Sequence, residues 1–135
     1  MVERWNSVVR PQDHVYHLGD VAIQRAALQI VRRLNGHKRL VRGNHDIFKT
    51  REYMEVGFEE VYGVRVLRDF VLSHIPLHPA CLRGRWVNVH GHLHNNDGDT
   101  PHTSWLGPRY FNASVETLQY TPVTLEQVHA MVEAQ

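Results

Sequence analysis

The chain has 135 residues, a net charge of +1 and one cysteine, Cys81. That length fits one domain, residues 1–135, with a core of its own; the lone cysteine excludes an internal disulfide and suits a reducing compartment. The near-neutral charge balance argues against a broad basic surface for extended nucleic acid, no stretch reaches the ~18 apolar residues of a membrane span, and Met1 to Arg10 lacks the apolar centre of a signal peptide, so a cytoplasmic protein is expected.

In chain order, Val2 to Val9 reads as a helix that stops before Pro11, with Trp5, Val8 and Val9 as core contacts. His14–Leu18 reads as a short strand that turns at Gly19-Asp20. Ala22 to Leu34 predicts an amphipathic helix whose stripe is Ile23, Ala27, Ile30, Val31 and Leu34, with Gly36 as its stop. Arg39–Arg42 predicts a second strand, ending at Gly43-Asn44-His45-Asp46, and Arg51–Val56 a short helix. Phe58–Tyr62 and Val64–Leu67 flank Gly63 and predict a hairpin. Phe70–Ser73 is a buried-type strand ending at His74, and Trp86–His90 another ending at Gly91-His92-Leu93-His94. Asn95 to Pro108 is a polar loop, Tyr110–Val115 a last strand, and Thr124 caps a final helix to Ala134. The pattern is mixed α/β.

Four of these strands end in an Asp, Asn or His cluster, and strand ends are where open α/β sheets gather their sites. Asp20 offers a carboxylate able to bridge two cations, Asn44 an amide oxygen, and His74, His92 and His94 imidazole nitrogens. Such a mixed nitrogen and oxygen set suits manganese, iron, nickel or zinc and disfavours calcium. Gly19, Gly43 and Gly91, beside the ligands, allow tight turns and close approach. Among the eleven histidines, His14, His17, His37, His78, His90, His102 and His129 read as strand, surface or loop residues. Arg42 reads as a strand-end charge within reach of a phosphate.

The ordered set Gly19-Asp20, Gly43-Asn44-His45-Asp46, His74 and Gly91-His92-Leu93-His94 resembles the signature of the calcineurin-like metallophosphoesterases. The flanking runs His17-Leu18-Gly19-Asp20-Val21-Ala22, Leu72-Ser73-His74-Ile75-Pro76-Leu77 and Tyr110-Phe111-Asn112 before Ser114-Val115-Glu116 are similar to small bacterial and phage members, from about Trp5 to Val128. The resemblance implies a two-sheet β-sandwich flanked by helices and hydrolysis of a small phosphate ester, a mono- or diester with a nucleotide among the candidates, by a metal-bound hydroxide. It implies that Asp20 bridges two metals, that Asn44, His74 and His92 complete one site, and that His94 serves the other. His45, with Asn44, would contact the phosphate and protonate the leaving oxygen, and Asp46 would orient His45.

The sequence has no Asp-x-His ahead of Gly19-Asp20, where the family's first motif completes the second metal site. The fold is therefore expected to lack one strand beside His14–Leu18, leaving an edge open to a second copy of the chain as a homodimer. One cation should be held tightly and a second weakly, with Asp97 and Asp99 as distant replacements. The rival expectation is a degenerate domain that binds metal or a partner with little turnover.

Overall fold

A computed structural model describes residues 1–84, 87–94 and 106–134. Helix α1 (Val2–Val8) leads to strand β1 (His14–His17), α2 (Arg25–Leu28), β2 (His37–Val41), α3 (Thr50–Glu55), β3 (Phe58–Tyr62), β4 (Arg65–Leu67), β5 (Phe70–Leu72), β6 (Val87–His90), β7 (Tyr110–Asn112) and α4 (Leu125–Glu133). The strands form two sheets, ordered β1-β2-β3 and β4-β5-β6-β7. The first is wholly parallel; in the second, β4 runs antiparallel to β5, and β5, β6 and β7 are parallel. Strand β1 has β2 as its neighbour and forms an edge of its sheet. This is the expected two-sheet α/β architecture with flanking helices.

The alternation of side chains along each strand divides the apolar residues into two cores. Leu40 and Phe58 point to one face of the first sheet and pack with Leu28, Val31, Phe48, Tyr53 and Val56 from the helical side. Val41, with Tyr16 and Tyr62, points to the other face, toward Phe70, Leu72, Val87, Val89 and Phe111 of the second sheet and Val128 of α4. Strand registers agree with this assignment: Phe70 lies beside Val87, and Val89 beside both Leu72 and Phe111. Helix α4 begins as expected, with Thr124 Oγ1 accepting from Gln127 N at 3.0 Å and Gln127 Oε1 accepting from Thr124 N at 2.8 Å, the reciprocal arrangement of a capping box.

Three expectations need correction. The helix expected over Ala22–Leu34 is only one α turn followed by a 3-10 segment, Gln29–Arg33. Its buried residues are Leu28, Val31 and Leu34, a three-residue spacing that a 3-10 helix aligns on one face; Ile23 of the expected stripe is 74% exposed. The hairpin across Gly63 does not form, because β3 pairs in parallel with β2 whereas β4 pairs with β5, so Gly63 sits where the chain passes from one sheet to the other. At the N-terminus Val9 is buried but Val8 is exposed. The loop at 95–105, with Asp97, Asp99 and His102, lies outside the described residues. No helix among the described residues is long and apolar enough to cross a membrane.

One polar residue in the second sheet matters for the loop beyond it. Asn88 is fully buried; its Nδ2 donates to Val71 O and Ser73 Oγ, both at 2.9 Å, and its Oδ1 accepts from Leu77 N at 2.8 Å. Ser73 Oγ in turn donates to Ile75 O at 2.6 Å. These bonds pin both sides of His74. Replacing Asn88 by alanine strands a buried donor and acceptors, so Asn88→Ala is expected to lower unfolding free energy by roughly 2–3 kcal/mol. Urea unfolding checks this, and a loss within error of zero would show that the network contributes nothing.

Candidate metal centre

All strands that carry ligands run parallel within their sheets, so their C-terminal ends gather on one side of the molecule. The chain leaves β1 through Gly19-Asp20 and β2 through Gly43-Asn44. Gly19 has φ +100°, and a Cβ there would lie 2.5 Å from Gly43 N and 2.7 Å from His74 Nδ1. A Cβ on Gly43 would fall 2.3 Å from Asp20 Oδ1. The two loops thus meet backbone to backbone, at a separation only glycine allows. Gly91 does not share this requirement: the nearest atom to a Cβ there is 3.7 Å away.

Asp46 joins the same two loops. It is 4% exposed; its Oδ2 accepts from Asp20 N at 2.8 Å and Gly43 N at 2.7 Å, and its Oδ1 from Val21 N at 2.9 Å. Asp46 is expected to orient His45; its hydrogen bonds run to the backbone N–H groups of Asp20, Val21 and Gly43 and lock the ligand loops together. His45 is exposed, and its own backbone N–H donates to Asp20 Oδ1 at 2.9 Å. Arg42 is not directed to a phosphate. Its guanidinium donates to Asp46 O, Phe48 O and Thr50 Oγ1 and lies 5.1 Å from the Tyr53 ring centroid, so it braces the loop after Asn44.

Four of the expected ligands converge. His74 Nε2 lies 2.9 Å from Asn44 Oδ1, 3.1 Å from His92 Nδ1 and 3.2 Å from Asp20 Oδ2, and His92 Nδ1 is 3.1 Å from Asn44 Oδ1. On its far side His74 Nδ1 is 2.7 Å from Leu18 O. A carbonyl only accepts, so Nδ1 carries the proton and Nε2 of the neutral ring presents a lone pair. Nε2 therefore faces an amide oxygen, a carboxylate oxygen and a second imidazole nitrogen. One proton cannot serve three such partners, whereas one cation can. Asp20, His74 and His92 are the group of three metal-binding side chains that meet this way among the described residues, and the donor set fits a divalent transition metal.

Electrostatics agree with the lone-pair assignment. Partial burial, then the neighbouring His74, hold the His92 ring below its ordinary pKa, keeping it neutral and able to ligate. His17, behind the site, is also held below its ordinary value, first by burial; its Nδ1 accepts from Gly19 N at 3.1 Å, a bond that requires the unprotonated nitrogen. His94 is placed apart from the cluster. Its Nδ1 lies 2.8 Å from Glu116 Oε1, and that bond holds the Glu116 carboxyl below its usual range. Glu116 appears in the sequence only as part of a flanking run, and no spacing rule marks it. A separate cleft lined by His14, Tyr16, Arg39, Glu60, Tyr62, Arg65 and Leu67 contains none of the ligands.

Two tests follow from this geometry. Gly43→Ala should displace the Asp20 carboxylate and weaken binding of manganese at least tenfold by calorimetry, whereas Gly91→Ala should bind as wild type; equal behaviour of the two variants would refute the close-approach argument. For His17, the folded pKa lies below the unfolded value of about 6.5. The unfolded chain therefore binds more protons in that window, and stability falls as pH drops below about 6.5. Thermal midpoints between pH 7 and 5 should decline less steeply in His17→Asn, whose amide oxygen can still accept from Gly19 N. An unchanged slope would mean that His17 is not the group titrating.

Comparison with known proteins agrees with the site. The family model described as calcineurin-like phosphoesterase matches residues 2–130. An uncharacterized protein of Methanocaldococcus jannaschii, MJ1445, is 32% identical over 142 residues, spanning 98% of this chain and 73% of that protein. The crystal structure of AQ665 from Aquifex aeolicus, a protein of unknown function, superposes with a TM-score of 0.72 at 26% identity, covering 96% of this chain and 82% of its own. With a divalent-cation donor set at the ends of its parallel strands and a family match over nearly its whole length, the chain belongs to the calcineurin-like phosphoesterases.

Proposed function

We propose that the chain hydrolyses a small phosphate ester with the help of divalent cations, one held by Asp20, Asn44, His74 and His92. The observation that carries this reading is the convergence of four lone-pair donors on the space between His74 Nε2 and its three neighbours. A bound divalent cation supplies positive charge for the phosphoryl oxygens and acidifies water at neutral pH. The chain's own residues do the rest. Asn44 and His45 sit side by side at the mouth of the site; His45 is tethered through its backbone N–H to Asp20, and its exposed ring is free to approach a substrate oxygen. A neutral leaving alcohol needs a proton, and on this reading His45 gives it. The buried backbone links through Asp46 keep this arrangement from relaxing when substrate arrives.

A second reading has its own observation: His94 stands outside the cluster, paired with Glu116. On that reading the domain holds a single cation and binds a ligand without turning it over.

Hydrolysis of bis-p-nitrophenyl phosphate, with and without manganese, separates the two. The enzyme reading expects slow hydrolysis that rises with added manganese. The binding reading expects stoichiometric manganese uptake with no product above the metal blank. His45→Ala should cost roughly 10²–10⁴-fold on an alkyl phosphate ester, where protonation of the leaving group matters. The cost should be smaller on the p-nitrophenyl ester, with manganese affinity unchanged. An equal loss on both esters would remove His45 from the role of acid.

A further inference from the structure

His92 and His94 both lie in the left-handed region, with φ of 69° and 53°. For residues with a Cβ this conformation is unfavourable, and it persists only where neighbours impose it. At His94 the neighbours come from the end of β7 and the turn after it. Asn112 Nδ2 donates to the His94 carbonyl, while Glu116 Oε1 meets the ring at Nδ1, 2.8 Å away. The segment that carries both groups is itself tied: Asn112 Oδ1 accepts from Ser114 N at 2.9 Å, and Thr117 Oγ1 donates to Ser114 O at 2.7 Å and Asn112 O at 3.1 Å. His94 is therefore held at its backbone and at its ring by one prefolded segment.

The contact has a chemical consequence. A carboxylate accepts and does not donate, so His94 Nδ1 carries the proton and the lone pair is left on Nε2. His74 shows the same logic, with Nδ1 committed to the Leu18 carbonyl and Nε2 presented to the donor cluster. Histidines that ligate metals nearly always give their second ring N–H to such a partner, which fixes tautomer and ring angle. Glu116 stands 34% and His94 65% exposed in their side chains. Water thus competes for both, and the bracing from Asn112 and Thr117 is what keeps the carboxylate in place.

We infer that Glu116 is the positioning residue of His94, fixing its Nδ1–H tautomer so that Nε2 is offered to a second cation. This rests on the reading of His94 as a ligand, but its central claim concerns a proton on a ring and is testable without any metal.

The experiment uses metal-free protein with ¹⁵N-labelled histidine at about pH 8, the His94 signals being identified by their loss in His94→Gln. Long-range ¹H–¹⁵N correlations report which nitrogen is protonated. Wild type and Glu116→Gln, which keeps an accepting oxygen, should show the Nδ1–H form. Glu116→Ala should revert mainly to the Nε2–H form that an isolated imidazole favours. A wild-type His94 already in the Nε2–H form, or a tautomer that does not respond to Glu116→Ala, overturns the inference.

Manganese titration of the same proteins gives the second arm. Glu116→Ala should weaken the looser of two binding events by about 10–100-fold. It should leave the tighter event, on Asp20, Asn44, His74 and His92, unchanged, which also certifies the fold of the variant. If Glu116→Gln abolishes the looser event while keeping the tautomer, Glu116 is itself a ligand and the positioning role is wrong. Failure of any second cation to bind counts against His94 as a ligand, and the tautomer result still decides the role of Glu116.

Discussion

The site depends on a buried carboxylate that offers no lone pair to the donor cluster and holds its loops from behind. Asp46 is buried and takes three backbone N–H groups, two from the loop after β1 and one from the loop after β2. A carboxylate without partners in such a place would cost several kcal/mol; charge-assisted bonds to three N–H groups offset that cost. In return the Gly19-Asp20 and Gly43-Asn44 loops become one rigid unit. Asp20 can then sit at φ 55°, a conformation unfavourable to an aspartate, with its side chain toward Asn44 and His74. The same contact brings Gly19 and Gly43 together so closely that neither tolerates a side chain.

The second sheet meets this unit from the other side, and its half of the site is fixed by different means. His74 follows β5 and is gripped through Ser73, Asn88 and Leu77. Its ring reaches across the sandwich to donate to Leu18 O, in the loop after β1. That bond orients the ring and ties the two sheets at the level of the ligands. The apolar core between the sheets, Val41 with Phe70, Leu72, Val87, Val89 and Phe111, sets the distance over which these polar contacts are made. Loss of core packing would therefore register first as misalignment of His74 and His92 with Asp20 and Asn44.

How much of this was legible in the sequence depended on whether the information was local. Strand ends marked by Asp20, Asn44, His74 and His92 were readable because ligand chemistry and strand periodicity both lie in short segments. Their convergence needed parallel strands within each sheet and the packing of the two sheets against each other. The α character expected of residues 22–34 is not realised, because Ile23, Ala27 and Ile30 satisfy a helical period by side-chain type, while burial follows Leu28, Val31 and Leu34. The choice was made by what the first sheet could cover. The hairpin across Gly63 failed for a similar reason: β3 finds a better partner in β2, far away in sequence. Asp46 and Glu116 were the least legible. Asp46 joins Gly43 to partners 25 and 26 residues away and Glu116 meets a ring 22 residues away, and a lone Asp or Glu in a turn looks the same whether it binds backbone, ring or water.

Exposure orders the ligands in a way that bears on the chemistry. The His74 side chain is 6% exposed and that of Asp20 26%, against 65% for His94. Electrostatic attraction between a cation and its ligands is strongest where water is excluded and weakens steeply toward solvent. His74, fixed by Leu18 O, and Asp20, held beside Asp46, have little entropy left to lose on binding a cation; His94 depends on an exposed pair with Glu116. On the proposed reading, the two ends of the site therefore differ in kind. One is a preformed cage that sets where a phosphate can rest. The other lies at the solvent edge, where His45 and His94 are open to the incoming ester, so substrate oxygens can complete what the protein leaves unfilled.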